Sequence, residues 1–157
     1  FPASSDPREI SPEMLRRSLD RNDATGRAGE RLVYAAELSR LAAVKCADPA
    51  AHVHLVADSN VSAGYDIKSE WDGETRFIEV KSSTLAKSEF FLTANERSVL
   101  TQLGERAWLY RVRVDSTENG GSGEVVQRLQ NPMAHLSEED MQPVLWRVNL
   151  SVNDRTQ

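Results

Sequence analysis

Residues 64–81 read Gly64-Tyr65-Asp66-Ile67-Lys68-Ser69-Glu70-Trp71-Asp72-Gly73-Glu74-Thr75-Arg76-Phe77-Ile78-Glu79-Val80-Lys81. Asp72-Gly73 is a strong hairpin signal, because a type I′ turn needs positive φ at both central residues. With a two-residue loop, Asp66 faces Glu79, Tyr65 faces Val80 and Ile67 faces Ile78. Side chains alternate faces along a strand, so the apolar pairs share one face and the two carboxylates share the other. Lys81, two residues past Glu79, lies on the carboxylate face as well. Like charges directly opposite one another destabilise a sheet. Two carboxylates roughly 5 Å apart at Cβ become favourable when a hard divalent cation sits between them. A lysine beside them could orient or deprotonate a water and offset charge on an anionic substrate. An isolated Glu-x-Lys usually means a solvated strand face with an ion pair. The register-matched Asp66 and the turn favour a metal-dependent hydrolytic site instead.

Outward from the hairpin, the pattern is helix, three strands, helix, strand, then extra strands. Ser11-Pro12-Glu13 predicts a short helix ending near Asp20, with a polar break over Asp23–Gly26. Residues 27–44 form the first long helix, with Leu32, Val33, Ala36, Leu38, Leu41 and Ala42 near helical spacing. Residues 52–58 read as a strand, and the hairpin strands span about 64–71 and 75–83. Glu89–Leu92 is a short extended piece. Thr93 and Glu96 make a capping box for a helix running to about Leu103, with Gly104 past its end. Ala107–Asp115 alternates as a strand, 118–123 is a loop, and 124–129 is a further strand. Residues 136–141 could make one helical turn, and 144–152 a last strand.

The chain has 157 residues, 39% hydrophobic and 27% charged, which fits one domain. No apolar run approaches the ~20 residues of a membrane span. The start, Phe1-Pro2-Ala3, shows no signal-peptide pattern, and its lack of Met suggests processing or a fragment. The single Cys46 forms no internal disulfide, fits a reducing cytosol and excludes a multi-cysteine zinc site. A cytoplasmic location is the expectation. The net charge of −5 counts against charge-driven nucleic-acid binding. It leaves a nuclease open, since bound metal supplies local positive charge.

Gly64-Tyr65-Asp66-Ile67 followed by Glu79-Val80-Lys81-Ser82 resembles the PD-(D/E)XK nuclease motif. Gly26-Arg27-Ala28-Gly29-Glu30 before it, and Phe91-Leu92-Thr93-Ala94-Asn95-Glu96 after it, resemble one branch: the nuclease-like protein NO VEIN C-terminal domain. The resemblance covers about residues 26–150. It implies a restriction-endonuclease-like αβββαβ core, a mixed central sheet flanked by helices (α+β), with extra C-terminal strands. The implied layout is an N-terminal extension over 1–25, the nuclease-like domain over 26–152 and a tail over 153–157. It implies a Mg²⁺- or Mn²⁺-dependent DNA endonuclease in a restriction or phage-defence system, leaving 5′-phosphate and 3′-hydroxyl ends. A helicase, ATPase or recognition domain is the implied partner beside DNA. A homodimer is also open.

Carried over by residue, the resemblance implies Asp66 and Glu79 as metal ligands, with the Val80 carbonyl completing the shell. Lys81 would position the attacking water, and Glu30 would reach the metal directly or through water. Tyr65 stands where the motif often has Pro. Lys68 shares the carboxylate face and is a candidate phosphate contact. Ser82 could touch phosphate or simply end its strand. Asn95 could contact substrate or reflect helix-start polarity. Gln102 could hold the lysine or a phosphate, as a glutamine does in some relatives. Glu37, on the Glu30 face, could be a second accessory acid or a salt-bridged helix residue. Glu96 caps its helix, near the site in this branch. His52, His54 and His135 lack zinc spacing. Two other readings remain: a catalytically silent nuclease fold serving as a binding or assembly module, and an RNA-directed nuclease.

Overall fold

In the computed structural model, residues 12–56, 63–84, 89–143 and 148 are described. Helix α1 spans Pro12–Ala43, followed by strands β1 (Val53–Leu55), β2 (Ile67–Trp71) and β3 (Glu74–Ser83). Helix α2 (Ala94–Leu103) leads to β4 (Ala107–Ser116), β5 (Ser122–Gln130) and the one-turn helix α3 (Pro132–His135). The five strands form one mixed sheet in the order β1-β2-β3-β4-β5. Only β3 and β4 run parallel, and α2 makes the crossover that a parallel pair requires. The expected αβββαβ core with an added strand is therefore the observed one.

The hairpin forms as its turn chemistry dictates. Asp72 and Gly73 have φ of 50° and 81°. Ile67 faces Ile78 and Trp71 faces Glu74, which is the expected register. Strand β2 begins at Ile67 rather than 64, so Tyr65 and Asp66 lie just outside the ladder. Ile67, Ser69, Ile78 and Val80 turn their side chains toward one face of the sheet, where they are buried with Val33 and Leu41 of α1 and Tyr110 and Val112 of β4. Glu79 and Lys81 alternate to the other face, where Lys81 meets α2.

Several expected boundaries move. α1 is one continuous helix, not two pieces divided at 23–26, and it runs through the expected domain boundary at residue 25. Thr25 and Ala28 are buried against the rest of the fold, and that packing outweighs the local preference of Asp23 and Gly26 for a break. It ends in a Schellman arrangement: Cys46 N–H donates to the Leu41 carbonyl and Lys45 N–H to that of Ala42, with Lys45 at φ 66°. Residues 89–92 join no ladder. The late helical turn is α3 at 132–135, with a 3-10 turn at Glu138–Asp140. The expected strand over 144–152, including Trp146, lies outside the described residues except for exposed Val148.

Gly29 sets how closely α1 lies on β3. A Cβ there would overlap Ser82 Oγ and sit 2.8 Å from Ser82 Cβ. We expect Gly29→Ala to lower stability by about 1–3 kcal/mol through overpacking, despite alanine's better helix propensity. Urea denaturation checks this. Adding Ser82→Gly should recover part of the loss, and a fully additive pair would rule out the close approach as its cause.

Candidate active site

Asp66 is fixed by its own backbone before its side chain does anything. Its N–H donates to the Ile78 carbonyl at 2.8 Å, and its carbonyl accepts from Val56 N–H at 2.8 Å. Its Oδ2 accepts from Val80 N–H, also at 2.8 Å. The carboxylate is thus pinned to the strand that carries Glu79 and Lys81. Glu79 is 4% exposed. The Asp66 and Glu79 carboxyl groups lie close enough to repel one another. Burial, and then repulsion from Asp66, push Glu79 up to about 9, against the pull of Lys81. Burial also raises Asp66, although Val80 N–H and Lys81 oppose it.

Lys81 lies between two acids. Its Nζ is 3.1 Å from Glu79 Oε1 and 2.9 Å from Glu96 Oε2. Burial alone would lower the lysine, but Glu79 and Glu96 outweigh it and hold it above its ordinary value. It is therefore an ammonium ion at neutral pH, suited to orienting groups and offsetting charge rather than taking up a proton. Glu96 reaches it from the first turn of α2. There the capping box forms as expected: Thr93 Oγ1 accepts from Glu96 N–H, and Glu96 Oε2 accepts from Thr93 N–H.

The remaining candidates separate. Lys68 lies on the carboxylate face beside Phe77, with Nζ 5.6 Å from the ring centroid, and it makes a loose 3.9 Å pair with Glu70. Arg106 approaches the same ring at 5.5 Å, so Phe77, two residues before Glu79, has cations on its rim. Ser82 is corrected: its Oγ is buried against Gly29, on the α1 face, and cannot touch a phosphate at Glu79. Gln102 is also corrected. It is exposed on the outer side of α2, lining a shallow groove with Ala94, Arg97, Ser98 and Thr101, while Glu96 holds the lysine. Asn95 is exposed in the first turn of α2.

Glu30 follows Gly29 on α1, across the sheet from Glu79. Among the described residues, no three of His, Cys, Asp or Glu gather as a ready-made metal cage. Glu37 is the salt-bridged helix residue, paired with Arg40, rather than part of the site. It is fully buried on the α1 face. Arg40 donates to it through Nη2 (2.6 Å) and Nε (2.9 Å), and the Tyr110 hydroxyl donates at 2.8 Å. His52 packs edge-on to Trp71, and His54 is exposed on β1.

The donor set suits a small hard cation. Two carboxylates that repel each other and retain a proton would be relieved by a divalent ion, and both offer oxygen. Mg²⁺ commonly takes only one or two protein carboxylates and keeps its other positions for water and phosphate. A two-acid site therefore fits it without a third protein acid.

No described helix is long and apolar enough to cross a membrane. No curated protein and no solved structure matches the chain. A family model does match, described as Protein NO VEIN, C-terminal, and it covers residues 29–126. That span includes α1 from Gly29, the hairpin, the whole Asp66–Glu79–Lys81–Glu96 cluster and β4, more than half of the chain, so the chain belongs to the Protein NO VEIN C-terminal family.

Proposed function

We propose that this domain is a Mg²⁺- or Mn²⁺-dependent nuclease that hydrolyses phosphodiester bonds in DNA. The observation that carries the reading is the half-buried Asp66 carboxyl beside the buried Glu79 carboxyl, with the Lys81 ammonium on the same strand face. Asp66 and Glu79 would hold the ion, together with the Val80 carbonyl. Glu30, on α1, would reach the ion directly or through water. When bound, the ion would polarise a phosphate oxygen and lower the pKa of a water. Lys81 would orient the attacking water and steady the charge that develops on phosphorus. Lys68 and Arg106, beside Phe77 on this face, would meet the nucleic-acid backbone. The resemblance to PD-(D/E)XK nucleases, and through it the role in restriction or phage defence alongside a helicase or ATPase, supports the same reading.

Supercoiled plasmid and linear duplex, incubated with Mg²⁺, Mn²⁺ or EDTA, test this directly. We expect metal-dependent nicking, reduced about 10²–10³-fold or more in Asp66→Ala and in Lys81→Ala. No cleavage together with no Mn²⁺ binding would replace the proposal with the silent binding module. Faster cleavage of an RNA competitor would redirect it to RNA.

A further inference from the structure

The geometry points to Glu96 as the positioning residue for Lys81: one carboxylate that closes the α2 capping box also holds the lysine against Glu79. This rests on the nuclease reading of the same site and deepens it. A lysine carries a compact charge on a long flexible stem, so it does not orient itself. Here two acid side chains, Glu96 and Glu79, fix one nitrogen, at 2.9 Å and 3.1 Å. Glu96 is fixed in its turn, because its Oε2 accepts from Thr93 N–H at 3.0 Å. Its position in the first turn of α2 also places its negative charge at the favourable end of the helix dipole. Lys81 and Glu96 side chains are 18% and 19% exposed, so water competes weakly for the pair.

The arrangement has a reason beyond capping. Glu79 is a proposed metal ligand, and a carboxylate engaged by a cation is a poorer partner for an ammonium. Glu96 stays bound to α2 whatever Glu79 holds, and keeps Lys81 aimed. The α2 start is thereby coupled to the site: the helix carries the acid, and the acid carries the lysine.

The cap and the clamp can be separated by substitution. Gln also serves at the third position of a capping box, so Glu96→Gln keeps the cap and replaces a charged acceptor by a neutral, weaker one. Thr93→Ala does the reverse: it removes the hydroxyl that accepts from Glu96 N–H and leaves the contact between Glu96 and Lys81. We expect Thr93→Ala to lower Tm by about 2–4 °C and leave kcat within about threefold. We expect Glu96→Gln to lower kcat about 10–100-fold, with KM for duplex DNA and Mn²⁺ affinity within about threefold. Equal kcat losses in the two variants would overturn the assignment and leave Glu96 as a cap only.

A second readout does not depend on cleavage. Acetylation of Lys81 by a small reagent, followed by mass spectrometry, should run several-fold faster in Glu96→Gln than in the parent chain or Thr93→Ala. Absence of cleavage by the parent would refute the nuclease reading alone, and the labelling rates would then decide the clamp. Unchanged labelling in Glu96→Gln would overturn it.

Discussion

Glu37→Ala is expected to destabilise the protein by about 2–4 kcal/mol. Removing one partner of a buried ion pair typically costs about 3–5 kcal/mol, and the 28% exposure of the Arg40 side chain softens that figure. The loss is large because Glu37 is shared. Arg40 reaches it twice, and the Tyr110 hydroxyl donates to it while accepting from Arg76 Nη1 at 2.8 Å. Arg76 also stacks on Trp108, its Cζ 3.8 Å from the ring centroid, and pairs with Glu74 at 2.8 Å. Alanine would leave the buried Tyr110 hydroxyl without its acceptor and Arg40 with only its longer contacts to Glu74 (3.5 Å) and Ser69 (3.3 Å). Glu37→Gln should cost roughly half as much, since the amide keeps one oxygen for Tyr110 while losing the charge.

The network also fixes a pH signature. Burial would raise Glu37, but hydrogen bonds from Arg40 and Tyr110 and the Arg40 charge outweigh it and hold the carboxyl below its ordinary 4.5. A depressed folded-state value contributes stability above pH 4.5 that is lost as pH falls through the folded value. The gap between the parent and Glu37→Gln should therefore be full at pH 7 and shrink below about pH 4. Urea midpoints for the two chains across that range measure it. A gap that does not change with pH would show that packing, not charge, makes Glu37 important.

The pieces that the sequence made legible are those set by short-range chemistry. Asp72-Gly73 fixed the turn, and the turn fixed the register that brings Asp66 to Glu79. Thr93 and Glu96 announced the start of α2. What stayed hidden depends on partners far along the chain. Tyr110, which fixes the role of Glu37, is 73 residues away. A local signal was present nonetheless: Val33, Glu37 and Leu41 follow one another at helical spacing, all fully buried. A lone acid in such a stripe, with an arginine three residues on, points to a buried pair. The helix break at 23–26 failed because local propensity is weak beside tertiary packing. Ser82 and Gln102 were misplaced for a geometric reason. Ser82 has the wrong parity to share a face with Glu79 and Lys81. Gln102 projects from the outer side of the helix that presents Glu96 inward. Parity and helical phase were countable in the sequence, but the face covered by each helix was not.

Glu79→Gln should do two opposite things: remove function and make the metal-free protein more stable at high pH. Burial and the nearby Asp66 push the Glu79 carboxyl from 4.5 up to about 9. A folded-state value raised in this way contributes stability that is complete below pH 4.5 and is lost as pH rises through about 9. Between those two values the loss is at most about 1.4 kcal/mol for each step of one in pH. Glutamine resembles the protonated acid in shape and cannot ionise. At pH 6 the variant should lie within about 1 kcal/mol of the parent, and by pH 9 it should be the more stable by on the order of 2 kcal/mol. The same proton opposes a cation, because the carboxylate must ionise to bind it. Mn²⁺ affinity in the parent should accordingly strengthen as pH rises from 6 to 8, with release of protons visible as a buffer-dependent heat in calorimetry. Glu79→Gln should bind at least about tenfold more weakly and lose that dependence. Parallel loss of stability in both chains as pH rises would place the buried proton elsewhere. A parent whose Mn²⁺ affinity ignores pH would remove Glu79 from the ligand set, and with it the physical reason for two acids to be forced together on one face of the hairpin.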